Sequence, residues 1–214
     1  MILSRGRNYL FIHIPKTGGT SLALALEDRA MKDDIMLGDT PKARNRRGKV
    51  KGIQTRGRLW KHSTVADLDG LVTPEELDTL FIFALVRNPW ARTVSYYHWL
   101  QRQEFDHPAV RIAKSHEFSA FLNQPLIQNS FRASPARHYV TDASGQERQA
   151  HFIRLEHFAD DAQPLFDHLG FELTLPQENV TGTGADYRRH YSEFDSNLIA
   201  DSCAEDIKRF GYSF

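Results

Sequence analysis

The sequence predicts an α/β fold in which a central parallel β-sheet is flanked by helices. Two continuous apolar runs, from about Tyr9 to Ile14 and from Leu80 to Val86, are typical of strands that are buried on both faces. Each run ends in a short polar turn, and a segment of helical character follows it. A strand–turn–helix unit therefore occurs twice, as expected for a sheet with helices on either side.

Length and composition indicate an ordinary globular chain. The 214 residues are compatible with a single domain over residues 1–214, and 41% hydrophobic residues are enough for a substantial core. The formal net charge is zero, so overall electrostatics do not favour nucleic acid as a partner. Oligomeric state cannot be inferred from the sequence.

The location of the protein is predicted from three sequence features. The one cysteine, Cys203, excludes an internal disulfide and is compatible with a reducing compartment. No apolar run approaches the ~20 residues of a membrane span. The segment Met1 to Tyr9 lacks the apolar stretch of a signal peptide. We therefore expect a cytoplasmic protein.

The turn after the first strand has the composition of an anion site, and we call it the phosphate loop. Its residues are Lys16, Thr17, Gly18, Gly19, Thr20 and Ser21. A helix predicted from Ser21 to roughly Arg29 begins there, and the first N–H groups of a helix, together with its dipole, attract anions. Glycines allow a ligand close to the backbone, and lysine and hydroxyl groups add charge and donors. A simple turn with a solvated lysine has the same composition.

The phosphate loop differs from the common nucleotide-triphosphate loop. That loop reads G-x-x-x-x-G-K-[ST], with the lysine after the glycines, whereas Lys16 precedes Gly18 and Gly19 here. The pattern therefore indicates a phosphate group and argues against ordinary ATP or GTP hydrolysis.

A basic segment follows, from Thr40 to Ala66, with nine lysines and arginines and no acidic residue. Two interpretations stay open: a solvated loop, or a local surface that attracts an anionic partner. The segment contains His62, whose side chain type can accept a proton near neutral pH. Most single histidines have no catalytic role, and this chain has ten.

The second strand–turn–helix unit carries another candidate anion site. Thr73 to Glu76 has the pattern of a capping box that starts a short helix before the strand. After the strand, Arg87 offers a planar fork suited to phosphate oxygens, and Asn88 and Pro89 can begin a helix. Ser95, two turns later, can add a hydroxyl. Since ligands bind beyond the carboxyl ends of parallel strands, we expect Lys16 and Arg87 to face one crevice.

These two motifs resemble the cofactor motifs of sulfotransferases that use 3′-phosphoadenosine 5′-phosphosulfate (PAPS). The match covers Ile14–Ser21 and Val86–Tyr97, and the carbohydrate group that includes heparan sulfate 2-O-sulfotransferases and small bacterial proteins is the most similar. The resemblance implies a P-loop-like, three-layer α/β fold. It also implies that the first motif, with Lys16, holds the 5′-phosphosulfate, while Arg87 and Ser95 hold the 3′-phosphate.

Further segments extend the resemblance over most of the chain. Ala150–Glu156 resembles a family strand, and Asn179–Tyr191 resembles the loop that closes over the 3′-phosphate, which makes Arg188 a candidate there. His62 occupies a position that resembles the catalytic histidine, so the resemblance implies that His62 is the general base. Lys16 is expected to stabilise the negative charge that develops on the bridging oxygen. Near the end of the chain we predict a structural helical stripe of Phe194, Leu198, Ile199, Ile207 and Phe210, with a stop at Gly211.

Three functions remain open from the sequence. The first is in-line transfer of a sulfuryl group from PAPS to a hydroxyl of a carbohydrate or glycoconjugate, without a metal ion; the basic segment suggests an acidic acceptor. The second is a nucleotide or small-molecule kinase, although the triphosphate loop and a magnesium-binding aspartate after a strand are missing from the sequence. The third is a non-catalytic protein that binds an anionic polymer.

Overall fold

The computed structural model describes residues 1–175 and 186–214, and its chain forms two compact units. The sheet unit comprises Met1–Val86 and Ala136–Glu178. The helical unit comprises Arg87–Pro135 and Asn179–Phe214.

Five strands form the sheet, in the spatial order β3-β1-β2-β4-β5. They are β1 (Ile2–Ser4), β2 (Tyr9–Ile12), β3 (Ile35–Met36), β4 (Phe81–Val86) and β5 (Ala150–Arg154). The pairs β2–β4 and β4–β5 are parallel, with Tyr9 opposite Phe81 and Phe83 opposite His151. Because β2 and β3 both pair antiparallel with β1, four of the five strands run in one direction.

The predicted fold class is confirmed, and the two predicted strands differ from the observed ones by one or two residues. Every residue of β2 is buried, as is every residue of β4 after Phe81, as expected for strands covered on both faces. Strand β1 and its antiparallel pairing were not predicted. Its three residues are too few to show a recognisable pattern.

Twelve α-helices occur in the described residues. They are α1 (Gly19–Asp28), α2 (Pro41–Arg46), α3 (Pro74–Thr79), α4 (Pro89–Gln101), α5 (Pro108–Ser115), α6 (Phe118–Leu122), α7 (Pro125–Arg132), α8 (Ala136–Val140), α9 (Phe158–Asp161), α10 (Gln163–Leu169), α11 (Glu193–Ser202) and α12 (Ala204–Phe210). None is long and apolar enough to cross a membrane.

The core of the sheet unit forms where α1 and α10 cover one sheet face. Phe11 of β2 and Phe83 of β4 stack with ring centroids 5.4 Å apart and are fully buried. Leu22 of α1 and Leu165 of α10 belong to the same buried cluster. Each such side chain contributes roughly 1.5–3 kcal/mol by leaving water. This packing fixes α1, and with it the phosphate loop, against the end of β2.

The basic segment has regular structure rather than being a simple loop. Thr40 caps α2 by accepting a hydrogen bond from the Ala43 N–H at 3.2 Å, and a 3-10 helix continues the segment over Arg47–Val50. Several of its cations donate to backbone carbonyls: Arg46 contacts the Met31 oxygen at 2.6 Å, and Lys42 contacts that of Glu27. Part of the positive charge is thus engaged within the chain.

The predicted capping box is confirmed at α3. The Thr73 hydroxyl accepts from the Glu76 N–H at 3.2 Å, and the Glu76 carboxylate accepts from the Thr73 N–H at 3.0 Å. These two bonds satisfy donors that a helix start otherwise leaves unpaired.

In the helical unit, α4 lies at the centre of a separate apolar core. Trp90, Val94 and Tyr97 of α4 are buried with Phe121 and Ile199. The predicted terminal stripe is wrong at Phe194, which is 65% exposed. The remaining residues of the stripe are divided between two helices, because α11 ends and α12 begins on either side of Cys203. The predicted stop is confirmed, since Gly211 takes the left-handed conformation with φ +68° that glycine tolerates best.

Candidate active site

The phosphate loop follows β2 and has two residues in left-handed backbone conformations. Lys16 has φ +66° and Gly18 has φ +88°. Such a conformation costs a residue with a side chain roughly 1–2 kcal/mol, and residues of this kind concentrate at ligand sites. The buried Thr17 hydroxyl donates to the Ile14 oxygen at 2.9 Å, so this side chain fixes the loop from inside.

Helix α1 begins in the phosphate loop without a side-chain cap. Its N-cap, Gly18, has no side chain, and the first turn carries no acidic residue. The first N–H groups of a helix lack the usual acceptor four residues earlier. In α1 the Ser21 N–H donates instead to the Gly18 oxygen at 3.1 Å, and the ten residues of the helix align enough peptide dipoles to favour an anion at this end. Thr20 is exposed and Ser21 half-buried at this turn. The predicted loop therefore presents donors to an anion.

The two glycines are also required by packing. A Cβ atom on Gly19 would lie 2.5 Å from Nε2 of His13, and one on Gly18 would lie 2.9 Å from a methyl group of Leu155. Both distances are too short for real contacts, so the loop backbone lies directly against these side chains.

His62 lies beside the end of β2, from which the phosphate loop continues. Its Nδ1 atom is 2.7 Å from the backbone oxygen of His13, and its ring meets those of His13 and Trp60 edge-on, with centroids 4.6 and 5.0 Å away. Because a carbonyl oxygen only accepts, Nδ1 carries the proton, and Nε2 keeps its lone pair. Burial is the main cause that lowers the pKa of His62 to about 4. His62 is thus a neutral imidazole with one basic nitrogen at physiological pH.

His13 lies against both Gly19 of the phosphate loop and His62, and sequence reasoning did not single it out. Its ring is 6% exposed, stacks on Phe11 with centroids 5.8 Å apart, and has a pKa well below the usual range because it is buried. The available signal was a histidine at the end of an otherwise apolar strand, two residues before Pro15.

The helical unit brings a second set of predicted residues together. Asn88 caps α4 by accepting from the N–H groups of Trp90 and Ala91 at 3.1 and 3.3 Å, as predicted. Its amide donates to the Tyr187 hydroxyl at 3.2 Å. Since Arg87 precedes Asn88 and Arg188 follows Tyr187, this bond joins the segments that carry the two arginines.

The remaining predicted residues of this unit differ in how far they are exposed to solvent. Arg87 and Ser95 are half-buried, while Arg188 is exposed and its guanidinium lies 4.9 Å from the Tyr187 ring centroid. Residues 179–185 of the predicted closing loop lie outside the described residues.

A family model matches residues 1–213 of the chain, and its description is "Sulfotransferase family". The chain belongs to the sulfotransferase family. A solved structure of mouse sulfotransferase SULT7A1 complexed with PAP is similar in fold, with a TM-score of 0.56 and 14% sequence identity. The alignment covers 96% of this sulfotransferase and 86% of the mouse chain. A search of the curated proteins found no match.

In this sulfotransferase, the sheet unit brings the phosphate loop, His13 and His62 together. The phosphate loop contacts His13 through Gly19, and His13 holds His62 through its backbone oxygen. Residues 1–175 and 186–214 contain no group of three or more His, Cys, Asp or Glu side chains that could hold a metal ion. The cations at the predicted positions are Lys16, Arg87 and Arg188.

Proposed function

We propose that this sulfotransferase uses PAPS as its donor and transfers the sulfuryl group to a hydroxyl of a carbohydrate or glycoconjugate. The observation that carries the proposal is the uncapped N-terminus of α1 beneath the phosphate loop, in a chain of the sulfotransferase family. A phosphosulfate matches this turn because its oxygens accept from free N–H groups and its negative charge complements the helix dipole.

In this proposal the two ends of the donor are bound by different motifs. The residues proposed for the 5′ side are Lys16, Thr17, Gly18, Gly19, Thr20 and Ser21, and those for the 3′-phosphate are Arg87, Ser95 and Arg188. The proposal is supported by the parallel pairing of β2 with β4, because parallel neighbours end at the same sheet edge. Arg87 is the first residue after β4.

The proposed chemistry needs little covalent help from the protein. When bound, PAPS supplies the sulfuryl group, and adenosine 3′,5′-bisphosphate is the leaving group. The acceptor oxygen forms a bond to sulfur while the bond from sulfur to the bridging phosphate oxygen breaks. Nε2 of His62 takes the acceptor proton. Lys16 and the N–H groups of the loop stabilise the negative charge that develops on the bridging oxygen.

Several finer features of the proposal depend on the resemblance and on composition. The similarity of the two motifs supports membership of the carbohydrate group that includes heparan sulfate 2-O-sulfotransferases. We also propose that residues 1–214 act as one sulfotransferase domain. A cytoplasmic location is proposed from the single cysteine, Cys203, which is buried and free.

Calorimetric titration tests the donor. We expect adenosine 3′,5′-bisphosphate to bind far more tightly than AMP or ATP, because only the bisphosphate contacts both motifs. ATP binding that depends on magnesium would indicate the kinase instead. If none of the three nucleotides binds, the protein is better explained as a binder of anionic polymers.

A further inference from the structure

A cleft of about 440 Å³ opens in the sheet unit next to the phosphate loop. One side is formed by α1, through Thr20, Leu24 and Glu27, and the other by the segment around Thr40. Its volume lies within the ~300–1,000 Å³ of small-molecule sites. Thr20 belongs to both the cleft and the phosphate loop, so a molecule in the cleft would lie next to the proposed donor.

The wall of the cleft includes a buried carboxylate with one oxygen available. Glu27 is 5% exposed, and its Oε1 atom accepts from the Thr40 hydroxyl at 2.6 Å. Its Oε2 atom accepts no hydrogen bond from any residue in the described ranges. Burial raises the pKa of Glu27, as expected of a carboxylate with few donors. Oε2 is not one of the buried side-chain oxygens left without a partner, so it is accessible and can accept a hydrogen bond from a donor in the cleft.

The cleft is also lined by His13, the neighbour of the proposed base. The His13 imidazole lines it and forms no side-chain hydrogen bond with the residues that the structure describes. Its ring centroid lies 4.6 Å from that of His62. A hydroxyl compound bound in the cleft would therefore have both Glu27 and His13 in the wall around it, with His62 next to His13.

The cations in and beside the cleft are engaged by other groups, and Lys42, next to Glu27, donates to the backbone oxygen of that residue. Its lysine, Lys61, is paired with Asp39 at 2.6 Å, and Arg47 lies 3.5 Å from the same carboxylate. The amino group of Met1 donates to the carbonyls of Leu37 and Lys61, and burial lowers its pKa to about 5, so it adds little positive charge at neutral pH. A second negative charge next to Glu27 would be repelled.

We propose that this cleft binds the acceptor, and that the acceptor is a neutral polyhydroxylated compound with one hydroxyl donating to Oε2 of Glu27. The size of the cleft suits about one or two sugar rings. This inference rests on the proposed function, and it replaces the acidic acceptor suggested by the basic segment. A carboxylate that needs a hydroxyl donor rejects ligands that lack one or that carry negative charge there.

Three sugars with the same ring but different charge provide the test: glucose, glucuronic acid and glucosamine. Transfer from labelled PAPS should have a kcat/KM at least about tenfold higher for glucose than for glucuronic acid. Glu27→Gln should raise KM for glucose about tenfold and change kcat less, since it removes a charged acceptor used in binding. Asp28→Asn, at the exposed neighbouring position of α1, should change neither parameter.

A second variant covers the case in which Glu27→Gln fails to fold, as judged by circular dichroism. Ala23 lines the cleft and is 7% exposed, so Ala23→Leu should narrow the cleft and raise KM for glucose. An unchanged KM in the folded variants, a preference for glucuronic acid, or no transfer to any of the three sugars would overturn the inference.

Binding of adenosine 3′,5′-bisphosphate separates this inference from the function on which it rests. The wild type and both variants should bind the bisphosphate equally, because the cleft is proposed for the acceptor alone. If the wild type does not bind it, the donor proposal fails, and the acceptor inference fails with it.

Discussion

The backbone oxygen of His13 lies 2.7 Å from Nδ1 of His62 and thereby sets the tautomer of the proposed base. The bond orients the His62 ring from a residue that is itself fixed at the end of the buried strand β2. Nε2 remains as the nitrogen that can accept a proton. A histidine on the basic segment is thus positioned by the strand that carries the phosphate loop.

Replacing His62 should therefore abolish transfer without affecting donor binding. We expect His62→Gln to lower kcat by roughly 10²–10⁴-fold, the usual contribution of a general base. Calorimetry should find the wild-type affinity for adenosine 3′,5′-bisphosphate. His138→Gln is the matched control, because His138 is exposed and has no proposed role. Retained turnover in the His62 variant would rule out its role as base.

The pH dependence of transfer should follow the lowered pKa of His62. The base acts when it is unprotonated, so activity is present above its pKa and is lost as the pH falls through it. Since burial lowers this pKa from 6.5 to about 4, we expect kcat/KM for PAPS to stay constant through pH 6.5 and to fall only below about pH 5. Circular dichroism at each pH would verify folding. An inflection near 6.5 would contradict the buried, neutral state of His62.

Replacing Gly19 with a larger residue should lower stability, because the new side chain would clash with His13. This effect does not depend on donor binding. Gly19→Ala would place a Cβ atom 2.5 Å from Nε2 of His13, and overpacking of this kind costs roughly 1–3 kcal/mol. Urea denaturation should show that loss in the free energy of unfolding. Gly48→Ala is the control, since nothing lies within 4 Å of the added atom. Equal stability of the two variants would mean that His13 moves aside freely.

The elements predicted from the sequence are those with local causes. The strands at β2 and β4 are continuous apolar runs, and the phosphate loop and the cap at Asn88 depend on adjacent residues. Glu27 was missed because its hydrogen-bonding partner, Thr40, is thirteen residues away in the sequence. The terminal stripe was predicted as continuous because helical periodicity cannot show where α11 ends and α12 begins.

Arg188 and Arg189 form a matched pair for testing the proposed 3′-phosphate site, since both are exposed in one 3-10 helix, Tyr187–His190. The Asn88–Tyr187 hydrogen bond holds Arg188 near the segment of Arg87, and its contact with Asp186, at 3.6 Å between exposed groups, contributes about 0–1 kcal/mol. Arg188→Gln should thus leave the melting temperature unchanged.

The variant should weaken binding of adenosine 3′,5′-bisphosphate about 10–100-fold, as expected for one charged hydrogen-bonding partner of a phosphate. Binding of AMP, which has no 3′-phosphate, should not change. Arg189→Gln should resemble the wild type with both nucleotides. Equal losses for AMP and the bisphosphate would assign Arg188 to general attraction of anions, because only a residue that contacts the 3′-phosphate distinguishes the two ligands.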